Sequence, residues 1–169
     1  GPARDARLHS PHDLTQDRDG NLYLSETGSH TIRRIDRDTG VITRVAGSGK
    51  IGWGGNGGPA TEAELDNDSG VAVDESGNVY ICCEWSNVVR KIDAGTGKME
   101  HFAGQEARHH LMEQGNSRPF QGPWLSLEGY HGDGGPARDA AFHHPEHLAF
   151  DSNGDLYVCD NSNDRIRKI

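Results

Sequence analysis

The sequence is poor in the large apolar residues that build most protein cores. Leu, Ile, Val and Phe together account for 30 of its 169 residues. With a formal net charge of −9, this composition approaches that of disordered proteins. No apolar run nears the roughly 18 residues of a membrane-spanning helix, and no signal-peptide pattern is present. The sequence therefore predicts no membrane insertion, and its compartment stays open, an extracellular or periplasmic location included.

Cysteine and basic residues are also scarce. The chain has three cysteines, of which Cys82 and Cys83 are adjacent and Cys159 stands apart. Their odd number and the lack of a Cys-x-x-Cys pair argue against a disulfide framework and a cysteine-ligated zinc site. Lys and Arg number 17 against 26 Asp and Glu. This balance argues against nucleic acid as a partner, since non-specific binding depends on neutralising phosphates.

Glycine, in contrast, is abundant, and it marks an internal repeat. The 23 glycines are about twice the usual share. The segment 1–8 is echoed at 58–65 and again at 135–142. Downstream landmarks keep their offsets in all three copies: Asp17/Asp74/Asp151, Gly20/Gly77/Gly154, Tyr23/Tyr80/Tyr157, Arg33/Arg90/Arg167 and Ile35/Ile92/Ile169. Agreement at so many positions indicates three copies of one structural unit.

Each copy predicts short antiparallel strands separated by tight turns. The first strands are small and apolar and end at an Asp-x-x-Gly-[Asn/Asp] turn, where glycine allows a positive φ. The third strands alternate charged and aliphatic residues. The predicted strands are 14–16, 22–25, 31–35 and 41–46; 71–73, 79–82, 88–92 and 98–103; and 148–150, 156–159 and 165–169. Four such strands per repeat are typical of a propeller blade.

The repeat resembles the NHL repeat. The shared pattern runs Asp-Gly-Gly-Pro-Ala, Pro-x-x-aliphatic-x-x-Asp-x-x-Gly-Asn-aliphatic-Tyr, Ile-Arg-[Arg/Lys]-Ile, Thr-Gly and Ala-Gly. The resemblance implies an all-β fold: a β-propeller with four-stranded antiparallel blades, usually six, of which this chain holds three, half of a six-bladed ring. We place blade 1 at about 1–56, blade 2 at about 57–104, an insertion loop at about 105–131 and blade 3 at about 132–169, whose outer strand is missing.

Three blades are too few to close a ring of the usual kind. The first and last blades would each expose an apolar face, and such faces mark interaction or aggregation sites. Two explanations stay open. Either the chain is part of a longer propeller, or it associates with itself as a C2 dimer that completes six blades.

Aromatic and histidine side chains in the loops predict a binding surface. Loops that enter the inner strand and loops that join the second and third strands share one face of a propeller. Long loops with apolar content are usually functional, although the same side chains could pack against the rim. The candidate ligand- or partner-binding residues are Trp53, Trp85, His109, His110, Phe120, Trp124 and Tyr130.

Histidines near the inner strands suggest a metal site. Pro11-His12-Asp13-Leu14 is similar to the Pro-His-x-aliphatic pattern that supplies zinc ligands in peptidyl-hydroxyglycine amidating lyases, which are propellers with NHL-like repeats. The resemblance implies a divalent metal, zinc or calcium, in the channel, with His12 as a ligand. Glu146 is the second candidate ligand, because a symmetric dimer would supply two His12 and two Glu146 around one axis. Ser69 and Glu146 replace two of the family's three histidines, and solvated rim histidines are the alternative. His147 lies one residue late, so strand alternation predicts that it faces away.

Other polar residues of the repeat predict structural roles. Glu26 and Asp160 share the position after the second strand and are expected to bond loop amides. The arginines of the third strands are expected between blades or near the rim. Cys82 and Cys159 share the position of Ser25, where a small buried side chain is expected.

The preferred functional interpretation is a scaffold that binds a protein, peptide or glycan through its loop-rich face and channel mouth. Propellers host catalysts and scaffolds alike, so the fold does not decide between them. A metal-dependent, lyase-like enzyme centred on the channel is the alternative, and whether the chain is an enzyme is left open. A third interpretation is a structural repeat segment of a larger extracellular protein.

Overall fold

A computed structural model of the chain describes residues 1–105 and 131–169, which form three antiparallel β-sheets. The first contains β1 (Pro11–Gln16), β2 (Leu22–Glu26), β3 (Thr31–Ile35) and β4 (Ile42–Ala46). The second contains β5 (Asp68–Val73), β6 (Val79–Cys83), β7 (Val88–Ile92) and β8 (Met99–Ala103). The third contains β9 (Pro145–Phe150), β10 (Leu156–Asp160) and β11 (Arg165–Lys168). Each sheet pairs its strands in chain order, which confirms three propeller blades.

The turn between the first and second strands of each blade is held by its aspartate. The Asp17 carboxylate accepts hydrogen bonds from the backbone N–H groups of Asp19 and Asn21, at 3.0 and 2.8 Å. Asp74 and Asp151 accept the equivalent bonds in the other blades. Gly20 has a φ of +89°, which glycine adopts without strain. The predicted turn is confirmed.

The inner strands begin three residues earlier than the sequence predicts. Each of β1, β5 and β9 has six residues and contains a β-bulge near its start. A bulge interrupts the alternation of side chains, and for this reason the apolar pattern alone shows only the second half of each strand.

The blades stack through two apolar faces. We call the side of a blade that is turned to the next blade along the chain its forward face, and the opposite side its backward face. Ile32, on the forward face of blade 1, packs in one core cluster with Val71 on the backward face of blade 2. Val89, on the forward face of blade 2, packs with Leu148 on the backward face of blade 3. Blade 2 is therefore covered on both sides.

The inner strands of neighbouring blades lie side by side. Gly70 in β5 is the closest approach: a Cβ atom there would overlap the carbonyl oxygen of Glu146 and lie 2.9 Å from the Cα atom of His147. Glycine is required at this position because blade 3 occupies the space of a side chain.

The segment that opens each repeat ties the blade from outside. Pro2 forms a β-bridge with Val41, and Pro59 forms the equivalent bridge with Lys98. A single 3-10 turn follows the Gly-Pro pair that opens each repeat, at Ala3–Asp5, Ala60–Glu62 and Ala137–Asp139, and another, Asn161–Asn163, follows β10. Within the described ranges, no helix is long and apolar enough to cross a membrane.

Candidate functional site at the channel mouth

Each bulge places two successive residues of an inner strand opposite one residue of the second strand. In blade 1, Pro11 pairs with Glu26 and Leu14 with Leu24, so two residues stand opposite the single residue Ser25. Bulges of this kind re-aim side chains. The bulged residues are His12 and Asp13 in blade 1, Ser69 and Gly70 in blade 2, and Glu146 and His147 in blade 3.

The imidazole rings of His12 and His147 stack on each other. Their centroids are 5.9 Å apart and their planes differ by 22°. The Nδ1 atom of His12 lies 3.1 Å from the carbonyl oxygen of Ser69. Because a carbonyl oxygen only accepts, Nδ1 carries the proton in this contact and Nε2 is left as the second ring nitrogen. The prediction that His147 faces away is therefore wrong, and the bulge is the reason.

Asp13 connects all three blades. Its Oδ2 atom accepts a hydrogen bond from the backbone N–H of Val71 at 3.0 Å and lies 3.7 Å from Nδ1 of His147. The matching residue of blade 2 is Gly70, which adds no side chain of its own. We call His12, Asp13 and His147 the channel-mouth cluster. The side chain of His147 is 53% exposed, so a ligand can reach the cluster.

The two predicted metal ligands each contact other protein groups. His12 bonds the Ser69 carbonyl, and the Oε1 atom of Glu146 accepts a hydrogen bond from Asn161 at 2.7 Å. In residues 1–105 and 131–169, no three His, Cys, Asp or Glu side chains are grouped so that they could hold a metal ion. A zinc or calcium ion at His12 and Glu146 stays a prediction that these contacts do not support.

A polar network crosses the rim between blades 2 and 3. Nδ1 of His144 donates to Glu84 at 2.9 Å, and the backbone N–H of His144 donates to the side chain of Asn87 at 2.7 Å. The amide group of Asn67 donates to the second carboxylate oxygen of Glu84. Trp85, one of the predicted binding residues, follows Glu84 and is 40% exposed. It therefore offers an aromatic surface next to this network.

Trp53, the other predicted aromatic of the described residues, lies against a buried arginine. The guanidinium of Arg90 is 4.7 Å from the centroid of the Trp53 ring. The remaining predicted binding residues lie outside the described residues: His109, His110, Phe120, Trp124 and Tyr130.

The third-strand arginines bind the loop that enters the inner strand. Arg90 is fully buried and donates to the carbonyl oxygens of Glu64 and Gly54 at 2.7 and 3.2 Å, and to Asn56 at 2.8 and 3.1 Å. Arg167 repeats this arrangement in blade 3, where Asp133 at 2.6 Å takes the place of Asn56. Their role is to hold each blade to its own loop.

The acidic residues that end the second strands in blades 1 and 3 bond loop amides, as predicted. Glu26 accepts from the backbone N–H of His9, and Asp160 from that of His143, both at 2.7 Å. In blade 2 a cysteine, Cys83, stands at this position, and burial raises the pKa of its thiol well above the ordinary value. The acidic group of that blade lies instead on the facing loop, at Asp66.

Asp66 and Asp68 carry two buried carboxyl groups at the junction of blades 1 and 2. Burial is the largest cause that raises the pKa of Asp66 to about 7 and that of Asp68 to about 8. Asp66 accepts a hydrogen bond from Ser86. Within the described residues, neither oxygen of Asp68 has a hydrogen-bond partner, and Nδ1 of His30 lies 4.0 Å from one of them. Burial also lowers the pKa of His30.

Sequence reasoning missed Asp13 and His147 as members of one cluster. Both residues flank positions that it selected, His12 and Glu146, and the strand alternation hid them. The missing information was that every repeat has a bulge at the same place. Only the strand register shows this bulge.

Stacked blades with bulged inner strands define a β-propeller segment. The NHL repeat family matches residues 142–169, within blade 3, which confirms the predicted resemblance to the NHL repeat. Over 98 residues the chain is 28% identical to Protein SUPPRESSOR OF QUENCHING 1, chloroplastic, from Arabidopsis thaliana. That alignment covers 58% of this chain and 9% of the plant protein.

Two solved structures share the fold over nearly the whole chain. A protein of unknown function from Bacteroides thetaiotaomicron VPI-5482 has a TM-score of 0.66 at 23% identity, covering 94% of this chain and 34% of its own. An auxiliary nutrient binding protein from Bacteroides ovatus ATCC 8483 has a TM-score of 0.65 at 25% identity, covering 97% and 38%. The chain thus spans little more than a third of these structures and a smaller part of the plant relative.

Proposed function

We propose that the chain is a binding scaffold that takes a neutral, hydroxyl-rich ligand, a glycan, at the channel-mouth cluster. The observation that carries this proposal is the meeting of His12 and Asp13 from blade 1 with His147 from blade 3. A few convergent polar groups on a rigid scaffold are typical of ligand sites. The likeness to a nutrient binding protein supports a binding role.

The chemistry of the cluster favours hydroxyl groups. The two imidazoles offer flat faces and ring nitrogens, and Asp13 offers carboxylate oxygens, so hydroxyl groups find donors and acceptors at close range. The cluster contains no lysine or arginine, and the chain is acidic with a net charge of −9. An anionic ligand is therefore disfavoured. Trp85 and the rim network of Glu84 offer a further polar and aromatic surface between blades 2 and 3.

The proposal is tested by NMR titration of the histidine ring signals with a panel of neutral oligosaccharides. We expect at least one oligosaccharide to shift the signals of His12 and His147 in a saturable way. His147→Ala and Asp13→Asn should each weaken binding at least tenfold, about 1.4 kcal/mol. His131→Ala, an exposed histidine outside the cluster, is the matched control and should bind normally.

Two outcomes would contradict the proposal. The first is that no oligosaccharide shifts either ring while a peptide library does, which would favour a peptide ligand. The second is an oligosaccharide that binds the His147→Ala variant as tightly as the unmodified chain, which would place the site elsewhere.

A further inference from the structure

We propose that Asn56 is a deamidation site, and that its conversion to aspartate supplies the carboxylate that the buried Arg90 of blade 2 lacks. This modification is independent of the ligand proposed above. It follows from a comparison of the third-strand arginines in the three blades, which occupy the same position of the repeat but differ in the groups that they bind.

Arg90 differs from its two equivalents in having no ionic partner. Arg33 pairs with Glu26 at 3.3 Å. Arg167 pairs with two aspartates, of which Asp133 is the closer at 2.6 Å. Among the residues that the structure describes, Arg90 forms only hydrogen bonds to uncharged oxygens, although it is fully buried. A buried charge without an opposite charge beside it is costly.

Two residue differences leave Arg90 in this state. Cys83 replaces the carboxylate at the end of the second strand, and Asn56 stands where blade 3 has Asp133. Each of these loop residues lies 34 positions before its arginine. The loops read Gly-Asn-Gly-Gly at 55–58 and Gly-Asp-Gly-Gly at 132–135. Deamidation of Asn56 would make the two loops identical over this stretch.

The Asn56-Gly57 pair is suited to this reaction. Both residues are exposed, and glycine has no side chain to keep its backbone nitrogen away from the side-chain carbon Cγ of Asn56. When that nitrogen attacks Cγ, it releases its proton to water, the Cγ–Nδ2 bond breaks and ammonia leaves. The Gly57 N–H donates to the carbonyl oxygen of Met99 at 2.7 Å. The reaction therefore waits for this hydrogen bond to open and is slow in the folded chain.

Arg90 assists the attack and selects the product. Its Nε and Nη2 atoms donate to Oδ1 of Asn56 at 3.1 and 2.8 Å. These donors polarise the Cγ–Oδ1 bond and stabilise the negative charge that develops on Oδ1. Water then opens the cyclic imide at either of its two carbonyl carbons. Addition at Cγ breaks the new N–Cγ bond and gives aspartate, whereas addition at the backbone carbon gives isoaspartate. Because Arg90 activates Cγ, aspartate is favoured.

Peptide mapping by mass spectrometry, after prolonged incubation at mildly alkaline pH, tests the reaction. Asn153-Gly154 is the matched control, because it is an exposed pair of the same two residues. In the part of the chain that the structure describes, no arginine donates to the Asn153 side chain. We expect Asn56 to yield mainly aspartate and Asn153 a larger share of isoaspartate. In urea the two sites should give the same mixture, since unfolding removes Arg90 from Asn56.

Two results of this mapping would overturn the proposal. The first is an Asn56 that stays intact after Asn153 has been converted completely. The second is an equal share of isoaspartate at the two sites of the folded chain, because Arg90 would then have no influence on the product.

The variant Asn56→Asp tests the consequence for the fold. We expect a higher urea midpoint than that of the unmodified chain, because a carboxylate accepts charge-assisted hydrogen bonds from Arg90. Asn153→Asp introduces the same charge at the control site and should not raise the midpoint. An Asn56→Asp midpoint equal to or below that of the unmodified chain would show that Arg90 gains nothing from the carboxylate.

Discussion

Cys83 stands where the other two blades have a carboxylate, and this difference affects the charges at the junction of blades 1 and 2. Blades 1 and 3 place a carboxylate at the end of the second strand, where Glu26 bonds both the His9 backbone amide and Arg33. With a thiol in that position, blade 2 carries its acidic group on Asp66, close to Asp68, which in turn lies close to Glu26. Like charges and burial then act together, and each disfavours the ionised form.

The stability of the chain should fall as the pH rises, through Asp66 and Asp68. Their folded-state pKa values of about 7 and about 8 lie above the ordinary 3.8. The native state therefore retains protons that the unfolded chain releases. The resulting stabilisation is complete below pH 3.8 and is lost as the pH rises through these folded values.

Asp68→Asn should remove the larger part of this pH dependence. The amide is neutral and of similar size, so we expect the variant to be more stable than the unmodified chain by roughly 2 kcal/mol at pH 8.5. The difference should shrink toward pH 5. Urea denaturation at several pH values measures it, and Asp38→Asn, at an exposed turn, is the control. Equal stability of the Asp68 variant and the unmodified chain at pH 8.5 would contradict the expectation.

Arg90 is the residue whose loss should cost most. Its guanidinium bonds two carbonyl oxygens and one amide oxygen inside the protein. Arg90→Lys keeps the charge but loses the planar set of donors, and buried acceptors are left unpaired. We expect a loss of about 2 to 4 kcal/mol in the free energy of unfolding. Arg44→Lys, on the exposed side of β4, should change it little. A loss at Arg90 no larger than at Arg44 would refute the assigned role.

Among the elements, the contact between β5 and β9 is sensitive to side-chain volume. Gly70→Ala would place a methyl group against Glu146 and His147. Because the added atom cannot fit without moving blade 3, we expect a loss of about 1 to 3 kcal/mol. The distance between the His12 and His147 rings should also change, and NMR of the rings detects this.

Gly58→Ala is the matched control for Gly70→Ala. A Cβ atom at Gly58 would come no closer than 3.5 Å to its nearest neighbour, and neither glycine has a positive φ. The two substitutions therefore differ mainly in available space. If both variants melt at the same temperature, the close approach of β5 and β9 does not limit the packing of the blades.

The strands and turns could be predicted from the sequence because each of them occurs in more than one copy of the repeat. The Asp-x-x-Gly turns and the second and third strands lie where the pattern predicts them, since hairpins depend on local residues such as Asp17 and Gly20. The first three residues of the inner strands do not show as strand, because the bulge breaks their alternation.

The candidate site was only partly predictable for the same reason. His12 and Glu146 were found because a motif pointed to their positions in the repeat. Asp13 and His147 belong to different blades, and their meeting depends on how β1, β5 and β9 lie side by side. Such contacts between repeats are not encoded in any single copy. The sequence could therefore predict histidines near the inner strands, but not which of them touch.

At the scale of the whole molecule, the net charge of −9 acts on every ligand that approaches the chain. It disfavours an anionic ligand, and salt screens this effect.

Because blade 2 is buried on both sides, we expect its backbone amides to exchange with deuterium more slowly than those of blades 1 and 3. A blade with neighbours on both sides opens to solvent only when a neighbour separates first, whereas blades 1 and 3 each have one side that can fray without that event. The amide protons of β6 and β7 should consequently be the last of the chain to exchange with deuterium. The middle blade is thus the kinetic anchor of this segment, although the channel-mouth cluster contains none of its side chains.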